Sequence, residues 1–116
     1  MFVLIDPGAP VPVFAQIAET IATQIATGAL ATGTRLPAAR ELANTIGVNV
    51  HTVLRAYQQL RDDGQVELRR GRGAIVTGAR TADRVRDLVA AAAAEAKANG
   101  IPIGTLLALV RKEYDA

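Results

Sequence analysis

The sequence predicts an α+β chain that is mostly α: three helices and a two-stranded hairpin, followed by a short two-helix C-terminal extension. Three observations predict it. Apolar residues recur at three- and four-residue steps in three stretches between residues 13 and 62, with a very short gap between the second and the third. The period then drops to two around "RGRG", the signature of a hairpin. After Gly78 the helical period returns and strand signals stop.

"FVLI", residues 2–5, is an apolar extended segment stopped by "DPGAPVP". Four residues make no stable unit, so it either pairs with a strand or packs against a later helix. Phe14, Ile17, Ile21 and Ile25 form one helical stripe, with Pro12 at or before its first turn and Gly28 at its end. Leu30 and Leu36 tuck the connection under the core. In "LPAARELANTIG" Pro37 suits a first turn, Leu42, Ala43 and Ile46 supply a buried side, and Gly47 suits a left-handed cap. Asn49 can cap a third helix running to about Asp62, with Gly64 closing it. Two helices joined by so tight a turn cross steeply, leaving the outer face of the second free. Val66, Leu68, Ile75 and Val76 should give the hairpin a packed face, because two strands alone are marginal.

Residues 83–98 form a helix with Val85, Leu88, Val89, Ala92 and Ala96 on one side. Gly100 and Pro102 make a turn, and Leu106, Leu107, Val110 and Tyr114 mark a last helix. Two such helices are a thin layer, and their stripes need another surface: the first helix, or a second subunit.

Composition bounds the function. A chain of 116 residues fits one domain, or a domain with a small appendage. Phe2, Phe14, Tyr57 and Tyr114 are its aromatics, too few for the stacking platforms of single-strand binders. No cysteine means no disulfide scaffold, thiol catalysis or thiolate metal site. "MFVLIDPGAP" lacks the pattern of a signal peptide, and no stretch reaches the roughly 20 apolar residues of a membrane span. A soluble cytoplasmic protein is the expectation. His51, the one histidine, has no carboxylate or nucleophile at catalytic spacing, and there is no metal cluster or phosphate loop. An enzyme is not expected, and neither is a cofactor.

Within "IGVNVHTVLRAYQQL", residues 46–60, Val53, Ala56, Tyr57 and Leu60 share one face and want a core. His51, Thr52, Arg55 and Gln58 fall on the other and bury nothing. A helix projecting from a tight helix–turn–helix fits the DNA major groove, with its N-terminal residues nearest the base edges. Those are Asn49, Val50, His51 and Thr52. Val50 can touch a thymine methyl, while Thr52 and His51 can hydrogen-bond to phosphate or base. Arg55 reaches a phosphate or a guanine; its bland alternatives are a solvated charge or a partner for Asp62 or Asp63. Tyr57 bridges helices, with its hydroxyl at the rim or on a phosphate. Net charge is only +2, but residues 66–80 hold Arg69, Arg70, Arg72 and Arg80 against Glu67 alone, a local net of +3. A tip with Gly71 and Gly73 can bring such guanidinium groups into the narrow minor groove.

Residues 12–78 closely resemble the winged helix–turn–helix domain of the GntR family of bacterial transcription regulators. The marks are "PVFAQI", "GALATGTRLP", the R-x-L-A of "RELA", the G-V-x-x-x-T-V-x-x-A-Y-x-x-L of residues 47–60, and "GRG" followed by a strand. The "FVLID" start, "NVHTVLRAY" and the short tail are similar to the YtrA subfamily, whose two-helix C-terminal domain dimerises. The resemblance implies a DNA-binding domain over 1–78 and a helical dimerisation domain over 79–116. It implies DNA contacts from Arg40, from Asn49, His51 and Thr52, and from Arg70, Gly71 and Arg72 at the wing tip, with Gly73 beside them. Ala38 stands where many relatives have serine, and Val50 where many have a guanine-reading arginine, so their operators do not transfer.

The expected function is sequence-specific recognition of double-stranded DNA by a transcriptional regulator, a repressor acting as a homodimer on a pseudo-palindromic operator. The dimer contact is expected through Val85, Leu88, Val89 and Ala92 and through Leu106, Leu107 and Val110. So short a tail encloses no large effector cavity, which leaves any small-molecule effector unnamed. The competing reading is a winged-helix protein-interaction module. It predicts a more apolar outer face and needs no basic tip.

Overall fold

The computed structural model describes residues 1, 3–78 and 82–116; Phe2 of the opening segment and Arg80, the fourth arginine near the hairpin, lie outside the described residues. The elements are α1 (Val13–Ala26), α2 (Ala39–Ile46), α3 (Val50–Asp62), β1 (Val66–Arg69), β2 (Gly73–Val76), α4 (Asp83–Ala98) and α5 (Ile103–Tyr114). They fall into two compact units, Met1–Asp83 and Arg84–Ala116.

The first unit is a winged helix–turn–helix. Its core takes Ile17, Ile21 and Ile25 from α1, Leu42 and Ala43 from α2, and Val53, Ala56, Tyr57 and Leu60 from α3. Leu30 and Leu36 close it from the connection, as their apolar character requires. Each large aliphatic side chain withdrawn from water in this way stabilises the fold by roughly 1.5–3 kcal/mol. The α1 stripe and the inner α3 face therefore fix where the outer face of α3 points.

The opening segment takes the second of its two options. Val3 and Ile5 pack against the helical core, with no strand pairing among the described residues. Gln16 on α1 holds this arm: its Nε2 donates to the carbonyls of Asp6 and Val11, both at 2.9 Å, and its Oε1 accepts from the Asp6 amide at 2.8 Å.

Pro37 does not sit in the first turn of α2. The helix begins at Ala39 with Ala38 as its N-cap, and no side chain caps it. Proline at 37 instead keeps the approach extended. Gly47 ends α2 at φ 73°, a left-handed cap that a Cβ would disfavour. Asn49 then starts α3, its Oδ1 accepting the His51 amide at 2.8 Å.

The wing corrects one expectation. β1 and β2 pair antiparallel with Val66 opposite Val76 and Leu68 opposite Ala74. Side chains alternate along a strand, so Ile75 and Val76 cannot share a face. The buried set is Val66, Ala74 and Val76, while Ile75 is half-buried and Leu68 stays 40% exposed. The hairpin also gains a third backbone partner. The Gly33 amide donates to the Val76 carbonyl, the Val76 amide to Thr34, and the Leu36 amide to Ala74, each at 2.8 Å. An isolated bridge joins Arg35 to Ile75. This segment stabilises what two strands alone would not.

In the second unit, α4 ends through Gly100, and the Ile101 amide returns to the Ala96 carbonyl at 2.8 Å. Pro102 is the N-cap of α5. Val85, Leu88, Val89, Leu107 and Val110 each remain 55–59% exposed. Ala92 is exposed and Leu106 half-buried. No helix among the described residues is long and apolar enough to cross a membrane.

Candidate nucleic-acid interface

The outer face of α3 carries His51, Leu54, Arg55 and Gln58, all exposed, while Thr52 is half-buried at its edge. Asn49 commits one lone pair of its side-chain oxygen to the helix cap, and its amide NH₂ stays available as a donor to a ligand. Val50 is half-buried and packs against the core, which reduces the methyl surface it presents outward. Arg40 occupies the second position of α2 and is exposed.

Arg55 is neither freely solvated nor paired with the carboxylates at the helix end. Its guanidinium lies 3.8 Å from the centroid of the Phe14 ring on α1. Asp62 pairs with Arg61 at 3.1 Å, and Asp63 accepts from Gln59 at 3.2 Å. Tyr57 has its ring in the core and donates its hydroxyl to the Pro37 carbonyl at 2.7 Å. Burial, with a smaller push from Glu41, raises its pKa well above the ordinary phenol value. The hydroxyl is thus an internal strut between α3 and the approach to α2.

At the wing, Arg69 donates through Nε and Nη2 to a Glu67 oxygen at 2.9 and 2.7 Å. That leaves Arg70 and Arg72 as the wing cations with no salt bridge among the described residues. Arg70, Gly71, Arg72 and Gly73 are all exposed. The Arg72 amide closes the turn on the Arg69 carbonyl at 3.0 Å, and Gly71 takes φ 79° inside it. A positive φ there demands glycine.

These surfaces meet. One recess of about 310 Å³ is lined by Ala38 and Ala39 at the start of α2, Leu54 and Gln58 on α3, and Arg69 and Arg70 on the wing. Recognition-helix face, α2 start and wing therefore border a single groove. Most of its lining is apolar, and Arg69 and Arg70 bring positive charge to its wing side.

Residues 14–76 match the sequence profile of the bacterial regulatory proteins of the gntR family. The chain belongs to that family. Within it, this GntR-family chain is YtrA-like. It is 37% identical over 73 residues to the HTH-type transcriptional repressor YtrA of Bacillus subtilis, a match covering 63% of this chain and 56% of that protein. The chain thus spans little more than half the length of that curated relative. The structure of YtrA from Sulfolobus acidocaldarius, a GntR-family transcription factor, superposes with TM-score 0.61 at 35% identity, covering 79% of this chain and 97% of that one. The DNA-binding domain of AraR in complex with operator ORX1 aligns with TM-score 0.59 at 28% identity, over 66% of this chain and 96% of that one. The family match runs from α1 to β2, the winged helix–turn–helix of the first unit.

Two features escaped the sequence. Phe14 reads as the first member of the α1 core stripe, and periodicity says nothing of a guanidinium laid across it. Arg35 reads as part of a connection, although the alternation Thr34, Arg35, Leu36 was a faint strand signal.

Proposed function

We propose that this GntR-family regulator acts as a homodimeric repressor. Residues 1–78 bind DNA, residues 79–116 dimerise, and the dimer occludes a promoter at a pseudo-palindromic operator in the cytoplasm. The observation that carries the reading is the shared groove between α3 and the wing, with His51, Arg55, Arg70 and Arg72 outside the chain's own core. Asn49, Val50, His51 and Thr52 meet the base edges and adjoining phosphates; Arg40, Arg70 and Arg72 take the backbone and minor groove. The AraR domain was solved on an operator, and the Bacillus subtilis relative is a repressor, which supports the assignment.

Dimerisation is supported by the exposed stripe of Val85, Leu88 and Val89 on α4 and of Leu107 and Val110 on α5. A net charge of +2 gives one chain a weak hold on DNA, and a two-fold pair doubles the phosphate contacts. Selection from a random duplex pool tests the reading. Two inverted half-sites about one helical turn or a multiple apart are expected. Recovery of no preferred sequence, or of a single unrepeated site, would contradict it.

A further inference from the structure

The first turn of α1 meets the outer face of α3 in a recess of about 320 Å³ lined by Val13, Phe14, His51, Thr52 and Arg55. No acidic side chain is among the lining residues. The recess is separate from the groove between α3 and the wing, with which it shares no residue. His51 and Arg55 are one turn apart on α3, so they lie on the same side of the helix.

An arginine that reads guanine must extend its planar fork edge-on toward the groove floor. Arg55 does otherwise. Its guanidinium is drawn sideways, 3.8 Å from the centroid of an aromatic ring on a different helix. Stacking occupies one face of the guanidinium plane and leaves the N–H groups, which lie in that plane, available to an anion. A ring beneath it also removes side-chain freedom that a long arginine would otherwise lose on binding. On the DNA-binding reading, the recess lies beside the residues assigned to the bases, where a duplex would present its sugar-phosphate strand.

We propose that this α1–α3 recess seats a backbone phosphate of the operator, held by Arg55, with Phe14 as the residue that positions the guanidinium. The site rests on the DNA-binding reading above. It extends that interface to α1, a helix otherwise assigned to the core, and it places Arg55 on phosphate rather than on guanine.

The test uses the full chain with a selected duplex and a scrambled one, titrated by fluorescence anisotropy across a salt series. Arg55→Ala should lower the magnitude of the log K against log salt slope by about 0.9 per bound chain. The ratio of affinities for the two duplexes should stay as in the wild type. Phe14→Leu should weaken binding to both duplexes by about two- to fivefold, because an unstacked Arg55 must give up side-chain freedom on binding. Phe14→Tyr should restore it. In an Arg55→Ala background, Phe14→Leu should cost nothing further, a coupling that simple loss of packing would not produce. An unchanged slope in Arg55→Ala, a changed duplex preference, or an undiminished Phe14→Leu effect in that background would overturn the site while leaving the DNA-binding reading intact. A wild-type chain without salt-dependent duplex binding would overturn both.

Discussion

Tyr57 shows how a residue assigned to packing also ties together two elements of the candidate interface. Its hydroxyl bonds the Pro37 carbonyl, tying α3 to the chain entering α2, where Arg40 sits. Tyr57→Phe removes that bond and should cost about 1 kcal/mol. For a domain of this size the midpoint of thermal unfolding should fall by about 4–8 °C, read by circular dichroism. The pH dependence has a definite sign. The folded-state pKa is raised above the ordinary 10.0, so the contribution is fully present below that pH. Above it the unfolded tyrosine releases a proton that the folded one keeps, and stability falls. Denaturant unfolding at about pH 8 and about pH 11 should show a larger loss in the wild type than in Tyr57→Phe. At this scale the sequence made the inner face of α3 legible, because helical period sorts residues by burial. It did not reveal the Pro37 partner or the Arg55–Phe14 stack, since both join positions far apart in the chain through geometry no local pattern encodes.

Elements were read more reliably than contacts. α3 begins where Asn49 predicts, because an asparagine oxygen satisfies an amide that the helix leaves unpaired. Asn49→Ala should cost about 1 kcal/mol and fray the turn that presents His51. Amide exchange at His51 and Thr52 should speed up, with α1 little affected; an unchanged rate would show that the cap does not hold that turn. The wing was legible as a hairpin but not in its packing. Its burial pattern depends on register, and the facing core selects Ala74 and Val76 while Leu68 is left at the rim. Ala74 lacks the bulk that marks a core position in a sequence. The third backbone partner, residues 33–36, was hidden because so short a pairing carries little alternation. The start of α2 was misjudged by Pro37, whose fixed φ suits both a first turn and an extended approach.

At the level of the whole molecule, the proposed function depends on two copies meeting a duplex. Leu88 lies on α4 with 58% of its surface exposed, so Leu88→Asp puts a charge on the exposed stripe and outside the chain's own core. The wild type should sediment at twice 12.1 kDa and Leu88→Asp nearer the single value. Equal sedimentation of the two as dimers would move the contact elsewhere. The family was legible because its spaced glycines and prolines answer to backbone geometry rather than to packing detail, and the two tail helices because their apolar residues recur at the helical period. The most direct test of the central claim, that the outer face of α3 and the wing tip grip one duplex together, is anisotropy titration of His51→Ala and Arg72→Ala against selected and scrambled duplexes. Arg72→Ala should weaken binding to every duplex and lower the salt slope, whereas His51→Ala should change which duplex is preferred. Wild-type affinity and salt slope in Arg72→Ala, together with an unaltered preference in His51→Ala, would contradict it.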